Sequence, residues 1–345
     1  MPAGGPARER RVIKAGHSSV AVTLPKPWAK ALHLRPGDSV VFDQSDDGSL
    51  FLRPSEGHSG ERGLPPFQVE AAHFESPGEL EFLVSGAYRA GHDSIEILSD
   101  VPLTPEAVEE VQATARRLLG VSVVAQEPNR LLVQSCLDPS KYALAHMIQR
   151  MRMILAALAD ELARALDPPH SVRPLRLSNL SEELEKTHAF LVRQLQLASR
   201  DWSLARHIGS PDPRELLSWR VVVQSLDEAG RLLLERRRPR HLPPSVASVL
   251  SEGFAAYKVA LETVVDALVH PSLTRACEAR ERVKELFEKL DGVRDSRHRG
   301  QRRPALPPAA SCLRQSALKL RGLVYVAMDR AVTNGAGEGR AAPSP

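Results

Sequence analysis

The chain has 345 residues, enough for two or three domains, and its net charge of +4 is modest for that length. Aromatic residues make up only 4% of the sequence, which argues against a stacking platform for single-stranded nucleic acid. The cysteines Cys136, Cys277 and Cys312 lie far apart without metal-ligand spacing, so neither a disulfide framework nor a zinc site is expected.

Membrane and catalytic motifs are missing from the sequence. No apolar run approaches the ~20 residues that cross a bilayer, and the polar start has no secretory apolar region, so we expect a cytoplasmic protein without membrane insertion. The chain has no dinucleotide-binding glycine pattern, no phosphate-binding loop and no Gly-x-Ser-x-Gly elbow. We therefore expect neither enzymatic activity nor a cofactor.

Positive charge is concentrated near the N-terminus. Within residues 1–35, a single acidic residue, Glu9, stands against seven basic ones: Arg8, Arg10, Arg11, Lys14, Lys26, Lys30 and Arg35. An excess of this kind favours contact with a polyanion such as nucleic acid. A solvated N-terminus without a partner is the alternative that charge alone leaves open.

Residues 10–53 have the pattern of a very small β domain. A short strand is followed by a strand ending at Leu24-Pro25, a small helix, a turn at Pro36-Gly37-Asp38 and a closing hairpin. About 45 residues of this kind cannot bury a core alone, so a partner chain is implied. The pattern resembles the AbrB/MazE/SpoVT family of swapped-hairpin domains, in which two chains interleave their strands into one barrel that lays a basic face on DNA.

This resemblance implies a dimeric β-barrel over residues 8–54 that binds double-stranded DNA. Arginine can bind guanine through two hydrogen bonds, lysine adds charge, and serine can donate to phosphate oxygens. The candidate DNA-binding residues are Arg10, Arg11, Lys14, His17, Ser18, Ser19 and Lys26. The predicted barrel core is Val12, Val20, Val22, Leu24, Trp28, Leu32, Leu34, Val40 and Phe42. For each DNA-binding candidate, the alternative is an exposed residue without a ligand.

A linker over residues 55–66 is predicted to lead into a small α/β segment over 67–137. Residues 77–90 have a helical apolar pattern, and Ser94–Leu98 alternates as a strand. Thr104 is predicted to cap a helix that runs to Leu119 and is closed by Gly120. A hairpin around 128–129 completes the segment.

From residue 139 onward, apolar residues recur at steps of three and four, which is typical of antiparallel helical bundles. The pattern predicts one three-helix bundle over 139–240, in which the second helix continues through Trp202 and Ala205, and a second bundle over 243–334. Residues 335–345 are expected to form a disordered tail. Basic clusters at 236–241 and 292–308 are interpreted as solvated loops or as an added electropositive surface.

The order of these parts is similar to that of PhoU-related phosphate-uptake regulators that carry an AbrB-type N-terminus. The matching stretches are residues 86–97, 117–120, 137–141, 148–151 and 190–195. The resemblance implies a multidomain α+β protein with a PhoU-like double three-helix bundle at its C-terminal end. It also implies regulation of phosphate homeostasis, with a phosphate ABC transporter or a histidine kinase as further partners.

PhoU bundles commonly hold metal clusters through acidic residues four positions apart, and this sequence departs from that pattern. Glu183 and Glu185 occupy one acidic region, and Asp227 matches the first position of another, but Arg231 occupies the second. A guanidinium four residues from a carboxylate is expected to pair with it. We therefore expect no metal cluster. His188 is interpreted as a buried structural histidine or one at the bundle rim.

Three functions fit these patterns. The first is a DNA-binding regulator of phosphate genes, favoured by the basic residues at positions 10–14. The second is an adaptor of a transporter or kinase whose N-terminal domain only dimerises. The third is an antitoxin-like AbrB protein, which the long helical region disfavours.

Overall fold

The computed structural model describes residues 9–44, 48, 50–55, 64–74, 76–166, 173–235, 244–295 and 308–338. The chain divides into two compact units, residues 1–63 and residues 64–345. The predicted basic cluster at 236–241 lies outside the described residues, as do most of the cluster at 292–308 and the end of the predicted tail.

The N-terminal unit contains two separate hairpins and one short helix. Strands β1 (Ile13–Ala15) and β2 (Ser19–Ala21) pair antiparallel, as do β3 (Val40–Gln44) and β4 (Leu50–Pro54), and α1 (Lys26–Ala31) lies between the hairpins in sequence. The described part of the unit contains no closed barrel, because each hairpin forms its own two-stranded sheet. A barrel therefore requires strands from a second chain.

Two tight turns set the path between the hairpins. Two residues after the end of α1, His33 has a positive φ of 52°, and the Leu34 amide donates to the Ala29 carbonyl at 2.9 Å, which satisfies a carbonyl at the helix end. In the predicted Pro-Gly-Asp turn, the Arg35 amide donates to the Asp38 carboxylate at 2.6 Å, and Gly37 takes a φ of 101°.

The C-terminal unit begins with a four-stranded sheet covered by two helices. Its strands are β5 (Phe67–Glu70), β6 (Ser94–Leu98), β7 (Val121–Glu127) and β8 (Arg130–Ser135), in the order β5-β6-β8-β7, with β5 parallel to β6 and the other pairs antiparallel. The helices are α2 (Glu79–Ala90) and α3 (Pro105–Arg116). The Thr104 hydroxyl accepts from the Ala107 amide at 3.2 Å, which confirms the predicted cap, although α3 ends before Leu119.

The rest of the unit is helical. The helices are α4 (Leu144–Arg164), α5 (Pro174–Ala198), α6 (Trp202–His207), α7 (Pro213–Leu234), α8 (Pro244–Val269), α9 (Leu273–Asp295) and α10 (Pro308–Glu338). Helices α4, α5 and α7 pack mutually, and so do α8, α9 and α10; α4 contacts α8 and α7 contacts α10. Among the described residues, no helix has the length and apolar character needed to cross a membrane.

Two predicted helix boundaries need correction. The second long helix stops at Ala198 rather than continuing through Ala205, because the Asp201 carboxylate accepts from the Ser203 and Leu204 amides and starts the separate helix α6. The last helix continues to Glu338, so residues predicted as the start of a disordered tail are helical.

The two helical trios share a buried polar contact. The Ser316 hydroxyl on α10 donates to the Ala229 carbonyl on α7 at 3.0 Å and lies 2.8 Å from the Tyr257 hydroxyl on α8. Tyr257 is fully buried, and burial raises the pKa of its phenol. Because buried hydroxyls must find partners, this contact fixes the positions of α7, α8 and α10 relative to one another.

A buried carboxylate joins α4 to α5. The Glu161 side chain is 1% exposed, and it accepts hydrogen bonds from the Arg173 amide at 3.1 Å and from Arg173 Nη2 at 2.6 Å, with Arg164 Nη2 at 2.9 Å. Hydrogen bonds from the Arg173 side chain, aided by its amide and by Arg164 against the effect of burial, lower the pKa of Glu161 to about 2. The carboxylate is therefore charged whenever the unit is folded near neutral pH.

We expect Glu161→Gln to lower the free energy of unfolding by about 2–3 kcal/mol at pH 6, because Arg164, Arg173 and Arg176, whose Nε lies 3.5 Å from Glu161 Oε2, lose the charge that they surround. The folded-state pKa lies below the ordinary value of 4.5, so this stabilisation is complete above that pH and disappears as the pH falls towards 2. Urea unfolding of both proteins at pH 6 and pH 3 should show the difference shrinking.

The matched control for Glu161 is Glu182→Gln, since Glu182 forms a partly exposed pair with Lys186 at 2.7 Å on the surface of α5. Such a pair is worth at most about 1 kcal/mol. If Glu161→Gln costs no more than Glu182→Gln at pH 6, Glu161 does not hold α4 to α5.

Candidate nucleic-acid interface

The first hairpin carries several of the DNA-binding candidates. Its register pairs Lys14 with Val20 and Ala15 with Ser19. Because neighbouring residues of a strand point to opposite faces, Lys14 and Ser19 lie on opposite faces of the hairpin. The turn between the strands contains Gly16 with φ 75°, His17 and Ser18, so two more candidates project from the hairpin tip.

The remaining candidates flank this hairpin in sequence. Arg10 and Arg11 lie before β1, separated from it by Val12, and Lys26 is the first residue of α1. All seven candidates are exposed: Arg10, Arg11, Lys14, His17, Ser18, Ser19 and Lys26. The structure thus brings the candidates around one hairpin and its two flanks, but it does not place all of them on a single face.

The apolar residues of the N-terminal unit are exposed as well, so the core predicted for a two-chain barrel does not form within a single copy. The exposed fractions run from 36% for Leu24 to 74% for Val20, and this exposed set comprises Val12, Ile13, Val20, Val22, Leu24, Phe42 and Leu50. The other predicted core residues, Trp28, Leu32, Leu34 and Val40, are only half-buried. Where side-chain burial is described between residues 9 and 55, no side chain is fully buried. One chain alone therefore has no core here.

Two of the three acidic positions on the first helical trio, Asp227 and Glu183, form ion pairs. Arg231 Nε donates to Asp227 Oδ2 at 2.7 Å, which confirms the pairing expected from the sequence and raises the pKa of Arg231. Glu183 pairs with Arg150 on α4. In the described part of the chain, no group of three or more His, Cys, Asp or Glu side chains is arranged to hold a metal ion.

His188 is buried beside this ion pair. Its side chain is 9% exposed, and its Nδ1 lies 4.0 Å from Asp227 Oδ1. Burial lowers the pKa of His188, the Asp227 charge opposes that effect, and Arg220, Arg231 and Arg89 add to it. The imidazole is therefore neutral at pH 7. Its Nε2 has no hydrogen-bond partner within the described structure.

Comparison with known proteins identifies the N-terminal segment. Residues 13–58 match the family model described as "Antidote-toxin recognition MazE, bacterial antitoxin". The first unit therefore contains a MazE/AbrB-type antidote domain, a class of DNA-binding or antitoxin-like module. No curated protein and no solved structure matches the chain.

Proposed function

We propose that the chain is a dimeric, DNA-binding transcription regulator rather than an enzyme. The observation that carries the proposal is the exposed basic set around the first hairpin of a MazE/AbrB-type domain. The Arg10, Arg11 and Lys14 side chains reach phosphates and groove edges, and the second chain supplies the same set again. Both sets together make about 4–8 phosphate contacts, so the affinity falls steeply with salt concentration.

The exposed apolar residues support the dimer. Valine and phenylalanine side chains each lose about 1.5–3 kcal/mol of favourable burial when they stay in water, and several of them are exposed in a single copy of this unit. A patch of this kind indicates a protein partner. A second copy, interleaving its hairpins with the first, supplies the missing core and places two basic sets on one assembly.

We further propose that the helical part of the C-terminal unit is a PhoU-like sensing or docking module, and that the regulated genes serve phosphate uptake and homeostasis. The arrangement of six long helices as two mutually packed trios supports this assignment, together with the sequence resemblance described above. On this proposal, the module binds a phosphate transporter or a histidine kinase as its partner.

Fluorescence anisotropy at about 150 mM salt tests DNA binding, with duplexes from the chain's own upstream region, from phosphate-transport promoters and of random sequence. We expect one specific duplex to bind at least ~1000-fold more tightly than random DNA. An Arg10→Ala, Arg11→Ala, Lys14→Ala triple variant should bind at least ~100-fold more weakly, because the dimer loses six cations.

The matched control removes the same charge from α9 through Arg282→Ala, Lys284→Ala and Lys289→Ala, all of which are exposed. This control should bind DNA as the unaltered protein does. Equal, weak binding to every duplex would instead favour the adaptor, with the N-terminal unit serving only to dimerise.

The family description favours an antitoxin-like protein as a second candidate, since the matching model is that of a bacterial antitoxin. In that case the exposed apolar residues of the first unit, or residues after it, would cover a toxin. Specific DNA binding together with a stable dimer in the absence of any other protein counts against a role confined to toxin neutralisation.

A further inference from the structure

A cleft of about 410 Å³ lies within the C-terminal unit, between α2 and α3 of the sheet layer and α5 and α7 of the first trio. Its wall includes three arginines, two glutamates, a histidine and an exposed phenylalanine: Arg89, Arg117, Arg231, Glu81, Glu185, His188 and Phe82. A volume in this range accommodates a small organic molecule. The proposed DNA interface lies on the other unit and uses none of these residues.

The buried wall of the cleft has an unpartnered polar atom. His188 is more than nine-tenths buried, lines the cleft, and its Nε2 has no hydrogen-bond partner in the described structure. A buried nitrogen left without a partner costs about 1–3 kcal/mol, so native structures seldom leave one without a reason. The Nε2 atom itself is enclosed and has almost no accessible surface, so His188 shapes the floor of the cleft without offering this nitrogen to a ligand.

Two guanidinium groups flank this histidine. Arg89 Nε donates to the Ser85 carbonyl at 3.2 Å, and Arg231 Nε donates to Asp227. Among the described residues, the terminal nitrogens of both side chains have no hydrogen-bond or ion-pair partner, and both arginines lie close enough to lower the pKa of His188. Guanidinium groups whose terminal nitrogens have no other partner bind oxyanions through paired hydrogen bonds.

The two glutamates in the wall of the cleft restrict the class of ligand that the cleft can bind. Glu81 is neutralised by Arg117 Nη2 at 2.6 Å, whereas no such pair is described for Glu185, which is half-buried. A carboxylate in this position repels a bare anion but accepts a hydrogen bond from a hydroxyl or amino group. Phe82 is 76% exposed and offers an apolar surface on the same wall.

We propose that this cleft binds a small organic phosphate. Its phosphate lies between the guanidinium groups of Arg89 and Arg231, a hydroxyl or amino group of its body donates to Glu185, and the body covers Phe82. The terminal oxygens of the phosphate match the guanidinium donors that approach from α2 and α7. Binding at this site does not depend on whether the other unit binds DNA.

Isothermal titration calorimetry on the full chain tests the proposal with adenosine 5′-monophosphate, glucose 6-phosphate and inorganic phosphate, and with adenosine as the uncharged match. We expect at least one organic phosphate to bind with a Kd below about 1 mM, and adenosine to bind at least tenfold more weakly than its monophosphate. Inorganic phosphate binding as tightly as the esters would assign free phosphate as the source of the bound group.

Two single variants locate the site. Arg89→Gln and Arg231→Gln should each weaken binding of the tightest probe at least tenfold, while Arg116→Gln, on the surface of α3 outside the cleft, should leave it unchanged. Among the described residues, the Arg89 side chain hydrogen-bonds within its own helix alone, so its variant keeps the fold even if loss of the Asp227 pair disturbs α7. The proposal would be overturned if none of the three phosphates bound at about 10 mM, or if Arg89→Gln left the binding unchanged.

Discussion

Arg193→Met is expected to lower the free energy of unfolding of the C-terminal unit by about 3–5 kcal/mol. The Arg193 side chain on α5 is buried, and its Nη1 donates to the Tyr88 and His92 carbonyls, each at 2.8 Å. Its Nη2 pairs with Asp93, and the guanidinium lies 4.8 Å from the centre of the Tyr88 ring. Methionine fills part of the volume but removes the side-chain donor of both carbonyls, so that the Tyr88 carbonyl keeps only the Gly91 amide, at 3.0 Å.

The effect of Arg193 is large because of where it binds. The Tyr88 carbonyl belongs to the last turn of α2, where the helix dipole favours a cation, and Gly91 closes that helix with a φ of 105°. Arg193 thus attaches the end of α2 to α5 and joins the sheet layer to the helical trio. We expect the variant to loosen this junction before the trios unfold.

Urea unfolding followed by circular dichroism measures the cost of Arg193→Met, with Arg200→Met as the control. Arg200 is exposed just beyond the end of α5, so its replacement should cost less than about 0.5 kcal/mol. A cost below 1 kcal/mol for Arg193→Met would show that the junction is held by apolar packing and not by the buried cation.

A Val20→Asp, Phe42→Asp double variant is expected to weaken the homodimer at least ~1000-fold. These side chains are 74% and 57% exposed in one chain and belong to different hairpins. In the interleaved dimer each chain buries both, so four carboxylates enter an apolar interface at a cost of several kcal/mol. DNA binding should fall with the dimer, since a monomer presents only half of the basic residues.

Sedimentation velocity over a concentration series measures this change. Ser39→Asp adds a charge at an exposed polar position of the same unit and should leave the dimer intact. A double variant that remains dimeric would place the subunit interface outside the two hairpins, and the swapped-hairpin arrangement would be wrong for this chain.

The buried apolar faces of the helices were predictable from the sequence, because they depend only on the spacing of apolar residues within one helix. In α8, Leu250, Tyr257, Leu261 and Val264 all lie in the core as their steps of three and four predict. The break after Ala198 was missed because apolar residues continue in register past it, while the Asp201 cap acts locally.

Features formed by several elements were not predictable in this way. The cleft takes residues from four helices, and neither Arg89 nor Arg117 stands out within its own helix. In the sequence, Arg193 cannot be told apart from an exposed polar residue of α5. It becomes a buried cation because the C-terminal end of α2 packs against it in the folded structure. The predicted core of the N-terminal unit could not form at all in one chain.

The buried contact among the Tyr257 hydroxyl, the Ser316 hydroxyl and the Ala229 carbonyl restricts how the two helical trios move relative to each other. These hydrogen bonds join α7 of the first trio to α8 and α10 of the second trio at a point where water is excluded. The two trios therefore cannot slide past each other there. A force or a partner acting on α8 or α10 is consequently transmitted to α7 as rigid displacement, and any flexing that regulation needs must be sought elsewhere in the molecule.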